Sequence, residues 1–207
     1  MKGQRANRLQ RETAGFTLVE MIGVLAIIAL LAGMLVPRIM EAIRSARVSS
    51  TTVGLNTLRA AVAQYMTKHN TLGTAGTENY DSILVGDGDL EKAFEARIGT
   101  SSDVVLTAGS TAANGGPADA EDNATTPERY DLDGNGSDYE TLNASVIVEA
   151  VIQGVPERYA RALSVAIDGE GFSADIGSDD SVGRVVYDTP GDSDNGATDV
   201  YVYIAHD

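Results

Sequence analysis

Cysteine is absent from the 207 residues, which excludes disulfides, thiolate metal sites and a cysteine nucleophile together. Tryptophan is absent too, and three Phe and eight Tyr stand against 22 Gly. That composition suits a loop-rich α+β domain better than a large enzyme core. Basic residues are scarce: 15 Lys+Arg against 30 Asp+Glu leave a net charge of −15. The soluble part therefore repels phosphate backbones, and nucleic acid is set aside as a partner. Histidine occurs only at His69 and His206, both read as surface or helix-end residues. No glycine precedes a lysine, so there is no P-loop, and Gly171-Phe172-Ser173-Ala174-Asp175 breaks the nucleophile-elbow pattern at its last position. Nothing in these patterns favours an enzyme, and no internal repeat is present.

Charge is also missing from one long run. Between Phe16 and Val36 the single charged residue is Glu20, and a helix of about 20 residues spans the ~30 Å of a hydrocarbon core. The preceding residues 1–15 carry Lys2, Arg5, Arg8 and Arg11 against Glu12, so by the positive-inside rule this end stays cytoplasmic. A cleaved secretory signal has a shorter apolar region ending in small residues, whereas this one runs on to Val36, Pro37 and Arg38. A plain anchor explains the length but not Glu20, because a carboxylate costs ~2.5 kcal/mol or more at the centre of a span. Near a helix end the cost falls as the side chain reaches the interface.

The stretch Gly15-Phe16-Thr17-Leu18-Val19-Glu20, with a basic leader before it, an apolar run after it and Pro37 just beyond, resembles the N-terminal processing motif of type IV pilins and type II secretion pseudopilins. The resemblance covers roughly residues 8–60. It implies that a prepilin peptidase cuts after Gly15 and that the new terminal Phe16 is N-methylated. It also implies that Glu20 pairs with the Phe16 amine of a neighbouring subunit during filament assembly. An intersubunit ion pair removes the penalty of an unpaired carboxylate in lipid. The implied setting is a bacterial inner membrane, crossed once, with the head outside the cytoplasm and the partners being other pilin or pseudopilin subunits in a periplasmic or surface filament. Loss of residues 1–15 subtracts four basic residues and one acid, taking the net charge from −15 to −18.

Beyond Pro37, Ile39, Ile43 and Ala46, then Leu55, Leu58, Val62 and Tyr65 keep helical spacing. The expectation is one helix from about Phe16 to about His69, ended by Asn70 and Gly73, with residues 16–36 in lipid and 37–69 amphipathic against a head formed by 70–207. A kink or melted turn is expected near Pro37 and a weak point at Thr51-Thr52-Val53-Gly54. In the head, Asp89–Gly99 places Leu90, Phe94 and Ile98 at four-residue spacing, which predicts a short helix capped by Gly99. Residues 107–129 read as a variable surface loop. Strands are expected at Ser145–Gln153, Val182–Tyr187 and Val200–Ile204, with a helix after Pro156 burying Tyr159, Leu163 and Ile167. The fold class is α+β: a long N-terminal helix on a small antiparallel sheet.

Two acidic loops carry the candidate metal chemistry. Asp131, Asp133 and Asn135 alternate before Gly136 as in the first half of a calcium loop, but position twelve is Leu142, so a full EF-hand is excluded. A simpler calcium-stabilised turn completed by Asp138 or Glu140 stays open, as does a solvated Asp/Gly turn. The second loop holds Asp192, Asp194 and Asp199; the pseudopilin resemblance implies calcium there in place of a disulfide, and a hairpin loop explains the same residues. Three functional readings follow: a filament subunit, a single-pass anchored calcium-binding or adhesive module that does not assemble, or a membrane-tethered hydrolase, for which no sequence pattern speaks.

Overall fold

A computed structural model describes residues 15–108, 130–134, 141, 144–190 and 196–207. The chain divides into two units, one ending at Ala42 and the other Ile43–Asp207. In the first, helix α1 (Leu18–His69) exposes every residue up to Ala42, apolar side chains on all faces. No melted turn appears at Pro37; the helix runs unbroken through it. Its missing N–H removes one hydrogen bond, and the residue four back, whose carbonyl the ring approaches, is Gly33, which brings no side chain of its own.

In the second unit α1 buries Val48, Thr51, Leu55, Leu58, Ala61 and Val62. This corrects the expected stripe: Ile43 and Ala46 are exposed, and the buried face starts at Val48. Asn70 then takes a left-handed conformation (φ 55°) and donates to the Met66 carbonyl at 2.8 Å, which ends the helix. Lys68 places positive charge at this end. Lys68 contacts the Asp87 and Asp89 carboxylates, and His69 Nε2 lies 3.0 Å from Asp87 Oδ2.

Helix α2 (Tyr80–Asp87) was not expected. It lies between left-handed Asn79 and Gly88, and Gly88 and Asp89 donate back to the Val85 and Leu84 carbonyls. The helix expected over Asp89–Gly99 does not form. Its backbone donors are taken by side chains of other elements: Phe94 N–H by Asp81 Oδ2 (2.8 Å), Ala96 N–H by Ser102 Oγ (3.0 Å) and Arg97 N–H by Thr51 Oγ1 (3.1 Å). Phe94 and Ile98 are still buried, so the four-residue spacing marked anchors and not a helix. Thr51–Gly54, expected to be weak, is a helical docking point: Thr51 holds Arg97, and an added Cβ at Gly54 would come 3.3 Å from the Phe94 ring.

Strands β1 (Ser101–Thr107), β2 (Ile147–Pro156), β3 (Val185–Tyr187) and β4 (Ala197–His206) form one antiparallel sheet in the order β1-β2-β4-β3. Strand β1 was missed; the other three match the expected strands. Helix α3 (Glu157–Ile167) follows Pro156 as expected. Alternation sorts the two faces. Val148, Ala150, Ile152, Val200 and Val202 join Leu55, Leu58 and Val62 of α1 and Leu163 of α3 in the main core. Ile147 and Val186 turn the other way, onto Tyr130. The long helix followed by a four-stranded antiparallel sheet is an α+β architecture of the pilin type.

Both sheet edges are covered in part. On β1, Leu106 exchanges hydrogen bonds with Gly76 and Thr77 at 2.7 and 2.8 Å, and Val104 N–H donates to Asp103 Oδ1 at 2.7 Å. On β3, Tyr187 exchanges two backbone bonds with Asp180, and Arg184 and Val185 N–H both donate to Asp168 Oδ2 at 2.9 Å. These contacts take up edge groups at Leu106, Val104, Val185 and Tyr187 that an added strand would need.

Asp180 also sets a pH dependence. Its side chain is 1% exposed and accepts from Ser164 Oγ at 2.7 Å. Burial pushes its pKa up to about 6, against hydrogen bonds that pull it down. The native state thus holds this proton more tightly than the unfolded chain, so its contribution is present below pH ~4 and is lost as pH rises to about 6. Holding this carboxyl at about 6 instead of its ordinary range corresponds to roughly 3 kcal/mol between its two protonation states. Asp180→Asn is expected to flatten the fall in melting temperature between pH 4 and 6; an unchanged pH profile would show that Asp180 ionises freely.

Candidate functional site

The residues singled out at the N-terminus are brought together at the first turn of α1. Gly15, Phe16 and Thr17 are outside the helix, and Phe16 is 84% exposed. The Gly15–Phe16 bond therefore lies in non-helical, exposed backbone. A Cβ added at Gly15 would meet nothing within 4 Å. The folded chain itself does not require glycine here.

Glu20 faces back over the helix start. Its Oε2 accepts from Thr17 N–H at 2.9 Å and from Thr17 Oγ1 at 2.8 Å, and Thr17 Oγ1 accepts from Glu20 N–H at 3.2 Å. Thr17-Leu18-Val19-Glu20 is thus a reciprocal capping box, with Thr17 at the N-cap and Glu20 at the third helical position. Thr17 was missed as a functional residue, although the Thr-x-x-Glu spacing ahead of an apolar run is a sequence signal for this arrangement. Magnitudes show what it achieves. A cap contributes about 1 kcal/mol and the helix dipole a further ~0.3–1 kcal/mol, against ~2.5–3.5 kcal/mol for a carboxylate at mid-span and less near an end. Local contacts offset much of the cost. Both fall on Oε2, and among the described residues no contact engages Oε1, so one oxygen stays open to a cation.

The metal candidates do not converge among the described residues, where no group of three His, Asp or Glu is placed to hold an ion. Asp131 Oδ1 accepts from Gly134 N–H at 2.7 Å and its carbonyl from Gly183 N–H at 2.8 Å, a turn-forming role. Gly134 is required there: φ is 73°, and a Cβ would fall 2.1 Å from the Phe172 ring. Asp133 shares this turn. Asp199 Oδ1 accepts from Gly154 N–H at 2.9 Å, bracing the irregularity in β2 between Ile152 and Val155. Asn135, Asp138, Glu140, Asp192 and Asp194 lie outside the described residues.

Compared with known proteins, residues 11–36 match the family described as the prokaryotic N-terminal methylation motif. No curated protein and no solved structure matches the chain. The matched segment contains Gly15, Phe16, Thr17 and Glu20 and supports a type IV pilin- or pseudopilin-like family, a structural class and not an enzyme class. With an apolar α1 long enough to cross a membrane, it is consistent with a single-pass, membrane-anchored protein.

Proposed function

We propose that the chain is a structural subunit of a type IV pilus or type II secretion pseudopilus, cut by prepilin peptidase after Gly15, methylated on Phe16 and assembled through α1. The observation that carries this reading is the methylation motif, whose scissile bond is exposed two residues before the first helical residue. Among the described residues no contact engages Glu20 Oε1, which supports the pairing: cleavage turns the Phe16 amide nitrogen into an ammonium, and a carboxylate in lipid then has a charge partner on an adjacent subunit.

The capping box favours a second reading, an uncleaved single-pass anchor with a calcium-binding or adhesive head, since it gives Glu20 a local role. Mass spectrometry of the N-terminus from cells containing prepilin peptidase separates the two. The filament reading expects a chain beginning at N-methyl-Phe16; an intact leader from Met1 would establish the anchor.

A further inference from the structure

Resting on the single-pass reading, we propose that Arg38, Arg44 and Arg47, which follow the apolar run on α1, bind the phosphates of anionic phospholipids in the outer leaflet. Loss of residues 1–15 makes this set the sole lysine or arginine anchor flanking the span. Charge is divided unevenly along the chain. Residues 78–207 hold 27 of the 30 acids and six of the 15 Lys+Arg, whereas residues 37–77 hold five cations and one acid, Glu41. Three of those five cations fall within eleven positions of Val36, and Glu41 reduces the charge of that stretch to +2. Arg38 and Arg47 are exposed, and Arg44 is half-buried.

Position along the helix selects lipid as the partner. α1 continues without a break past Val36, and at 1.5 Å per residue the three arginines follow the end of the apolar run by about 3, 12 and 17 Å. The polar headgroup layer is roughly 5–8 Å deep on each side of the ~30 Å core. Helical Cα–Cβ bonds tilt toward the N-terminus, which on this helix is toward the bilayer. Arg38 is therefore at headgroup depth, and Arg44 and Arg47 are near enough to act on the phosphates within a Debye length of ~8–10 Å. A guanidinium fits phosphate through two parallel N–H donors. Carboxylates of a second copy carry the same sign, but the phosphates are beside these arginines as soon as the span is inserted, before any copy assembles.

Processing changes the balance of forces. In the full chain Lys2, Arg5, Arg8 and Arg11, with Glu12, flank the opposite end of the span, so attraction to phosphates pulls α1 in both directions. Cleavage after Gly15 removes the inner set and leaves the outer one unopposed. The remaining pull is toward the cytoplasm. It keeps Glu20 at the inner interface, where a carboxylate in the first turn costs least.

The absence of native cysteine lets one nitroxide, attached through Ala42→Cys at an exposed position, report depth. The full chain and the chain cut after Gly15 are reconstituted in phosphatidylcholine vesicles with or without phosphatidylglycerol, and collision of the label with a water-soluble relaxing agent is measured. Phosphatidylglycerol is expected to lower the collision rate several-fold in the cut chain and less in the full chain. High salt, or Arg38→Gln combined with Arg47→Gln, should abolish the change. Lys92→Gln combined with Arg184→Gln removes as much charge from the head and should leave it. An inserted chain that ignores phosphatidylglycerol, or an equal response in the Arg38 and Arg47 variant, would overturn the lipid contact and leave the single-pass reading standing. An equal loss in the head variant would overturn it too, as an effect of net charge. A response that follows chain density instead of lipid charge would reassign the arginines to carboxylates of a second copy. Release of the chain by alkaline carbonate would remove the single-pass reading itself.

Discussion

Glu20→Ala and Glu20→Gln are both expected to insert into the membrane at the native level and to fail in filament incorporation. Glutamine keeps the capping box, since its side-chain oxygen accepts from Thr17 as the carboxylate does at 2.8–2.9 Å. It lacks the charge that answers an ammonium. Removing one partner of a buried ion pair costs ~3–5 kcal/mol, which is on the order of a hundred-fold or more in subunit affinity. Thr17→Ala makes the opposite cut: it keeps the charge, loses the hydroxyl half of the box, and should cost about 1 kcal/mol of helix-end stability with assembly retained. Filament yield and membrane content, measured on the same cells, compare the three variants. A glutamine variant that assembles normally would reduce Glu20 to a helix cap.

The second large effect is in the head. Gly99 has φ 78°, and a Cβ there would fall 2.5 Å from the Gln153 carbonyl oxygen and 3.0 Å from Ile152 and Val155 methyls. That carbonyl already accepts the Thr100 N–H at 2.8 Å and the Thr100 hydroxyl at 3.2 Å, so it cannot withdraw without breaking the turn into β1. Gly99→Ala combines a left-handed penalty of ~1–2 kcal/mol with overpacking of ~1–3 kcal/mol. At roughly 2–4 °C per kcal/mol for a chain of this size, the melting temperature should fall by about 10 °C. Gly76→Ala serves as the control. It has φ 86° but nothing within 4 Å, so it bears only the left-handed cost. Equal losses in the two variants would show that the Gly99–Gln153 approach is absent in solution.

Legibility in the sequence followed the range of the forces involved. The membrane-length run, the basic leader, Gly15 and Glu20 are local in sequence and were readable there. So were β2, β4 and α3 as elements, although α3 buries Ala160, Leu163 and Ser164 and leaves Tyr159 and Ile167 half-buried, and β2 buries its first six residues on both faces. Helix α2 is only eight residues long and buries Tyr80, Asp81 and Leu84, too little for a periodic signal; its punctuation, Asn79 and Gly88, was the available clue. Residues 89–99 were misread because the spacing of Leu90, Phe94 and Ile98 is the same whether a helix or an irregular anchor segment carries it. The donors that choose between those states bond to Asp81, Ser102 and Thr51, up to 46 residues away.

The sequence by itself determined that this chain has a membrane-length helix with a methylation motif and a lone carboxylate at its start, because hydropathy, charge and capping act within one or two turns. Tertiary structure alone decided that residues 89–99 stay irregular, with Phe94, Ala96 and Arg97 N–H taken by Asp81, Ser102 and Thr51, and that Leu106 of β1 and Tyr187 of β3 pair with segments outside the sheet. Those outcomes depend on which distant groups meet once the core has closed, and no local pattern encodes that choice.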